Sequence, residues 1–147
     1  MKANIDYNEF PGRFTHCLNE KCVRGGQCLR RQMALAVPKE RDCFMVVNPA
    51  QIGPISGENC THFLLDQPQQ YAKGIKRLYD KVPHKEAQTL KRQIMGYLGR
   101  TAYYRCYRSE RLISPQEQEQ IRQLFLQQNI NEEPQFDTYI EYYQLGK

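Results

Sequence analysis

Three cysteines lie close together near the start of the chain, at Cys17, Cys22 and Cys28. Gly25 and Gly26 stand between the second and the third, and glycine lets the backbone turn sharply there. Three thiols on such a loop can converge on one ion. Tetrahedral coordination needs four donors, and soft sulfur favours zinc or an iron–sulfur cluster. The spacing therefore predicts a metal site that takes one more ligand from elsewhere in the chain.

The fourth ligand has several candidates. We favour Cys60, because it follows a loop rich in Gly and Pro and can fold back. Cys43 begins an apolar segment, which favours a buried thiol. His16 and His62 lie within two residues of candidate ligands, so a set of three Cys and one His stays open. The predicted metal ligands are Cys17, Cys22, Cys28 and Cys60, which hold structural zinc or, as the alternative, a 4Fe–4S cluster.

The composition bounds the class of protein. The chain has 147 residues, of which 40% are hydrophobic and six are Cys. It contains no apolar run of the roughly 20 residues that cross a bilayer, and no secretory signal pattern at its start. We therefore expect a cytoplasmic protein that does not associate with membranes. In that reducing compartment, its cysteines serve as ligands or buried thiols rather than as disulfides.

Basic residues are concentrated in the middle of the chain. Residues 71–112 carry 11 Lys or Arg against three Asp or Glu, whereas residues 113–147 carry two against six. Such a basic segment is typical of a surface that binds a polyanion, although a solvated helical surface has the same composition. Double-stranded DNA is the predicted partner, and an acidic protein is the alternative.

The first 67 residues are predicted to form a small, irregular, Cys-rich lobe. We expect a short helix over 28–37, because proline follows it, and short strands over 44–47 and 61–65. Segment 49–59 contains two Gly and two Pro and is predicted to be a loop.

Residues 68–147 are predicted to form a basic helical domain. Apolar residues at helical spacing indicate helices over 68–81, 85–98 and 102–108. Gly99 is placed to end the second of these, and Thr101 to cap the third. The aromatic tail is expected to be a last helix. The predicted fold class is therefore mainly α, with one or two short strands in the N-terminal lobe.

Ser114, Pro115 and Glu117 carry the strongest local signal in the sequence. Ser114 can accept a hydrogen bond from the amide of Glu117 while the Glu117 carboxylate accepts one from the amide of Ser114. Pro115 suits the first helical position. A helix is therefore predicted to begin at this capping box.

The segment around this cap resembles the second half of a helix-turn-helix in the phage-repressor-like superfamily. Leu98-Gly99, Arg108-Ser109-Glu110-Arg111 and Ser114-Pro115 carry the resemblance, and Ser109 stands where that superfamily has Gly. The resemblance implies a helix-turn-helix-like unit at 85–128. Independently of the family, a short helix bearing Arg105 and Arg108 can enter a major groove. The predicted nucleic-acid contacts are Lys91, Arg92, Arg100, Thr101, Tyr103, Arg105, Arg108 and Arg111, with core packing as the favoured alternative for Tyr103.

The whole chain resembles an uncharacterised bacterial family found in Bacteroides-type genomes, which has an N-terminal cysteine cluster. Its pattern matches Cys28-Leu29-Arg30, Asn48-Pro49, Cys60 to Phe63, Tyr103 to Arg105, Ser114 to Ile121 and Phe136 to Tyr139. That family has no assigned activity, so the resemblance implies no function.

A metal-stabilised nucleic-acid-binding or regulatory protein is the predicted function. An iron–sulfur or redox module and a protein-interaction scaffold are the alternatives. The sequence contains no P-loop, no GxSxG motif and no paired-carboxylate pattern, so we do not expect an enzyme.

Overall fold

A computed structural model of the chain describes residues 6–52 and 59–145. The chain divides into two compact units. The first comprises Met1–Gln69 and Tyr142–Lys147, and the second comprises Gln70–Glu141. Among the helices of the described ranges, none combines the length and apolar character needed to cross a bilayer.

The first unit contains little regular structure. Strands β1 (Thr15–His16) and β2 (Met45–Val46) pair in parallel. Between them in sequence lies the helix α1 (Leu29–Leu35). Short 3-10 helices occur at Tyr7–Glu9, Gly25–Gln27 and Pro49–Gln51. Part of the predicted loop, residues 53–58, lies outside the described residues.

Aromatic and aliphatic side chains form the core of the first unit. Leu29 and Met33 are fully buried and four residues apart, so they share one face of α1. The ring of Phe10 lies 6.0 Å from that of Tyr143, which comes from the tail. A smaller cluster joins Cys17 to two aliphatic side chains and to the half-buried Cys60.

The second unit combines three helices with a small sheet. Its elements are β3 (Gln69–Lys73), α2 (His84–Leu98), α3 (Arg100–Tyr107), β4 (Leu112–Ile113), α4 (Pro115–Gln127) and β5 (Thr138–Tyr142). The strand order is β4-β3-β5, and β3 runs antiparallel to β4 with Ala72 opposite Ile113.

Each helix of the second unit buries one pair of residues at helical spacing. These pairs are Leu90 and Ile94 in α2, Tyr103 and Cys106 in α3, and Ile121 and Phe125 in α4. They form one continuous core with Ala72 and Ile113 of the sheet. The opposite helix faces are mostly polar, apart from the exposed Tyr97, Tyr107 and Leu126, and this is the pattern of helices packed on one side.

The described residues form a mixed α and β fold, whereas the predicted class was mainly α. The helix predicted over 68–81 is wrong along its whole length, because residues 69–73 form β3 and residues 74–81 contain turns and no helix. Ala72 and Lys73 pair with β4, and β3 also lies beside β5, so cross-strand pairing outweighs the helical spacing of apolar residues in this segment. The predicted last helix is also wrong, since the tail forms β5.

The local helix signals are confirmed, with one exception. Ser114 and Glu117 form a capping box in which both reciprocal hydrogen bonds are present. Gly99 ends α2 with a φ of 87°. The exception is the predicted cap at Thr101. Because α3 begins at Arg100, its N-cap is Gly99 and Thr101 lies inside the helix. The helices predicted over 28–37 and 85–98 are present, the former shortened to α1.

Candidate metal centre

All four predicted ligands line one cavity in the first unit. The cavity has a volume of about 20 Å³, and its walls include Cys17, Cys22, Cys28 and Cys60. About 10–15 Å³ is enough to hold one water molecule. The cavity therefore has room for a single ion between the four cysteine residues.

Two of these cysteines are held by the regular structure around them. Cys17 directly follows β1, and its amide donates a hydrogen bond to the carbonyl of Arg30 over 3.1 Å. Cys28 precedes α1, and its amide donates to the carbonyl of Gly25 over 3.2 Å. Cys17 is 9% exposed and Cys28 is 7% exposed. Both thiols are thus largely withdrawn from solvent.

The other two cysteines lie in turns and are more accessible. The amide of Gly25 donates to the carbonyl of Cys22 over 3.0 Å, and the amide of Phe63 donates to the carbonyl of Cys60 over 3.3 Å. Both cysteines are half-buried. Each therefore begins a tight turn, and turns of this kind can shift more readily than a helix or a strand.

Arg30 brings positive charge to the cavity wall. Its Nε donates to the carbonyl of His62 over 2.8 Å, and its Nη1 donates to the carbonyl of Thr15 over 3.0 Å and also to the Thr15 hydroxyl. Burial lowers the pKa of the Arg30 guanidinium, and the nearby thiols of Cys28, Cys60 and Cys17 oppose this shift. The guanidinium thus lies where negative charge on these sulfurs would be attracted to it.

The remaining candidates for the fourth ligand occupy different environments. Both ring nitrogens of His16 have partners: the Tyr7 hydroxyl at 2.7 Å from Nε2 and the Met45 carbonyl at 2.9 Å from Nδ1. Burial lowers the pKa of His16 and so favours the neutral ring, in which Nδ1 can donate to Met45 while Nε2 accepts from the Tyr7 hydroxyl. Cys43 is exposed, so the expectation that it is a buried thiol is wrong. His62 lines the cavity beside the four cysteines.

The four cysteines share a cavity without standing in coordination geometry. Within residues 6–52 and 59–145, no group of three or more His, Cys, Asp or Glu side chains already forms an arrangement that could hold a metal ion. All six cysteines have free thiols. The fold therefore brings Cys17, Cys22, Cys28 and Cys60 together, as free thiols, around one small cavity.

The predicted nucleic-acid residues fall into three groups in the second unit. Tyr103 is 2% exposed and its hydroxyl lies 3.0 Å from that of Tyr79, so it belongs to the core. Arg108 and Arg111 form ion pairs with Glu110 and Glu117. The exposed residues that form no ion pair within the described ranges are Lys91, Arg92, Arg100, Thr101 and Arg105.

Arg30 and Arg31 also line the cavity, and the sequence reasoning did not include them among the site residues. The signal that could have identified them is their position directly after Cys28-Leu29. Arg30 and Arg31 are the second and third residues of α1, and both lie off the face that carries the buried Leu29 and Met33.

Comparison with known proteins identifies the family and assigns no activity. A family model described as a family of unknown function (DUF6078) matches residues 1–145. Searches among curated proteins and among solved structures each found no match. Because the matched residues span almost the whole chain, this protein belongs to the DUF6078 family.

Proposed function

We propose that this chain is a zinc-stabilised protein in which Cys17, Cys22, Cys28 and Cys60 bind one structural zinc ion as thiolates. The observation that carries the proposal is that these four residues, from separate turns and element ends, line one cavity of about 20 Å³. Four cysteine ligands are typical of structural zinc sites, whose coordination sphere is closed to substrates.

The charges around the cavity support the proposal. Four thiolates around a divalent zinc ion leave two net negative charges, and buried charge is costly unless it is paired. Arg30 and Arg31 both line the cavity and carry two positive charges. The local charge is therefore balanced when the ion and all four thiolates are present.

The size of the cavity favours zinc over a 4Fe–4S cluster. A space of about 20 Å³ accepts one ion, whereas a cluster brings four irons and four sulfides into the site. Zinc still requires the thiols to move inward into tetrahedral geometry. Thiolate zinc sites commonly couple such local ordering to binding, and Cys22 and Cys60 lie in turns that permit it.

Elemental analysis of protein purified without air tests the metal proposal. We expect one zinc per chain in the wild type, little or none in Cys22→Ser, and an unchanged content in Cys43→Ser. Cys43→Ser is the matched control, because it removes an exposed thiol that does not line the cavity. A wild type free of zinc, or equal zinc loss in both variants, would contradict the proposal. A brown preparation containing iron would support the cluster instead.

The exposed basic residues of the second unit support a further role in binding duplex DNA. Thr101 and Arg105 lie on one face of α3, opposite Tyr103 and Cys106, which are buried. Lys91 and Arg92 of α2 and Arg100 of α3 are exposed as well. Since these four basic side chains form no ion pair within the described ranges, their charges are available to phosphates.

Binding of a fluorescent DNA duplex tests this role. We expect affinity to fall steeply with salt, and Arg105→Ala to weaken binding and reduce the salt slope by about one unit. Arg122→Ala is the control, because Arg122 belongs to α4 and is already paired with Glu119 at 2.7 Å. No binding at low salt, or equal losses in both variants, would rule out DNA and leave an acidic protein as the partner to test.

A further inference from the structure

We propose that Arg30 is a positioning residue. It holds the segments that carry three of the four cysteines in the relative positions that metal binding requires. This inference rests on the proposed zinc site and adds to it the residue that assembles it. Arg30 is not a ligand. Its guanidinium bonds instead to the segments that carry the ligands.

The side chain of Arg30 bonds to backbone carbonyls that each lie two residues from a proposed zinc ligand. Thr15 lies two residues before Cys17, and His62 lies two residues after Cys60. Arg30 bonds the carbonyls of both, over 3.0 Å and 2.8 Å. Its own carbonyl accepts the amide of Cys17 over 3.1 Å. Because Arg30 itself follows Cys28 by two residues, one side chain connects three cysteine-bearing segments.

The geometry of the guanidinium explains why arginine suits this position. Its donors are arranged as a rigid, planar fork, so Nε and Nη1 can bond two carbonyls from different segments. The guanidinium also lies over the ring of Phe14, 5.3 Å from its centroid. A lysine ammonium would keep the charge, but it could not span both carbonyls from one fixed plane.

Arg31 provides a matched comparison within the same cavity. It is the next residue of α1, carries the same charge and lines the same cavity. Among the residues that the structure describes, its one hydrogen bond to a ligand segment is from Nη1 to the Cys17 carbonyl over 3.5 Å. Replacing either arginine by methionine removes one positive charge, but only Arg30→Met disconnects the Cys17 and Cys60 segments.

Zinc affinity, measured by competition with a chromophoric chelator, distinguishes the effect of positioning the ligands from the effect of the positive charge alone. Loss of a residue that orients metal ligands typically costs about 10–100-fold in metal affinity. We expect such a loss for Arg30→Met and intermediate losses for Arg30→Lys and Arg31→Met, because Arg31→Met removes the same positive charge but leaves the Cys17 and Cys60 segments connected through Arg30. The absorption bands of the cobalt-substituted protein should also shift in Arg30→Lys, because the sulfur geometry changes. Wild-type affinity in Arg30→Met, or equal losses in Arg30→Met and Arg31→Met, would overturn the proposal.

A second measurement does not depend on zinc and distinguishes failure of this proposal from failure of the metal site. Alkylation of each cysteine in the metal-free protein is followed by mass spectrometry. We expect Cys28 to react at least about tenfold faster in Arg30→Lys than in the wild type, while the exposed Cys43 reacts equally fast in both. If the wild type binds no zinc but this difference appears, the metal site is wrong and the positioning role stands. If Cys28 reacts equally in both proteins, the positioning role is wrong.

Discussion

The guanidinium of Arg111 holds the carboxylate of Glu117 through two hydrogen bonds of 2.6 Å and 3.2 Å. The same carboxylate accepts the amide of Ser114 over 3.0 Å, closing the capping box of α4. An arginine that the sequence suggested as a phosphate contact thus fixes the start of a helix. This relationship leads to the first prediction.

Replacing Glu117 by Gln should lower stability at neutral pH and flatten its decline in acid. Burial by itself raises the pKa of the Glu117 carboxyl, but hydrogen bonds from Arg111 and Ser114 outweigh it and hold the pKa below the usual range of a glutamate. A carboxyl with a depressed pKa stabilises the fold above its unfolded pKa, and this contribution disappears as pH falls from about 4.5 towards the folded pKa. We expect a loss of about 1–2 kcal/mol at pH 7, measured by urea unfolding from pH 7 to pH 3.

Glu119→Gln is the control for that experiment. Glu119 pairs with Arg122 on the exposed face of the same helix, where an ion pair adds little to stability. An acid profile for Glu117→Gln that matches the wild type would contradict the proposed role of the capping box.

Replacing Gly74 by Ala should destabilise the second unit. Gly74 has a φ of 86°, and an added Cβ would lie 2.9 Å from Cβ and Cγ of Asp137. Asp137 cannot move away freely, because its carboxylate accepts the amides of Lys76 and Arg77. We expect a loss of at least about 1–3 kcal/mol by chemical denaturation.

Gly96→Ala is the matched control, with an effect of opposite sign. Gly96 lies within α2, and an added Cβ there meets no atom within 4 Å. Alanine is the better helix former by about 0.8–1 kcal/mol, so stability should rise by about that amount. Two variants that changed stability in the same direction would contradict the strain assigned to Gly74.

Replacing Ser109 by Gly should stabilise the protein. Ser109 follows the C-cap of α3 and has a φ of 59°, a left-handed conformation that glycine adopts without strain. We expect a gain of up to about 1 kcal/mol, measured as an increase in Tm with unchanged circular dichroism. A Tm equal to or below that of the wild type would show that the more flexible unfolded chain offsets the relief of strain.

The two cysteines farthest apart in exposure should differ in reactivity. Cys106 is fully buried, and burial raises the pKa of its thiol, which disfavours the nucleophilic thiolate. Cys43 is exposed. We expect iodoacetamide to modify Cys43 rapidly and Cys106 only after denaturation, as read by peptide mass spectrometry. Rapid modification of Cys106 in the native protein would show that the core of the second unit opens.

If the proposed zinc site exists, removing the metal should loosen the first unit more than the second. A bound ion stabilises the segments that supply its ligands, so a chelator should speed hydrogen exchange at amides of α1, which follows Cys28. Amides of Leu90 and Ile94 in α2, which belong to the core of the second unit, should keep their protection. Added zinc should restore slow exchange in α1. Equal exchange with and without chelator would contradict a structural role for the metal.

Local chemistry in the sequence determined the features that depend on neighbouring residues. The Ser114–Glu117 capping box, the end of α2 at Gly99 and the helix after Cys28 each depend on hydrogen bonds or conformational preferences within a few positions. The cysteine spacing likewise indicated which thiols could approach each other, since Cys17, Cys22 and Cys28 lie on one short loop. Such features are visible in the sequence because the interacting groups are close along the chain.

Only the tertiary structure decided the features that depend on distant segments. Residues 69–73 form a strand because β4 and β5, which come from far along the chain, lie on either side of it. The loop before Cys60 favoured that residue as a ligand, but no such signal predicted that Arg30 bonds the carbonyls of Thr15 and His62. Side-chain spacing contains no information about such pairings, because they depend on the path of the whole backbone.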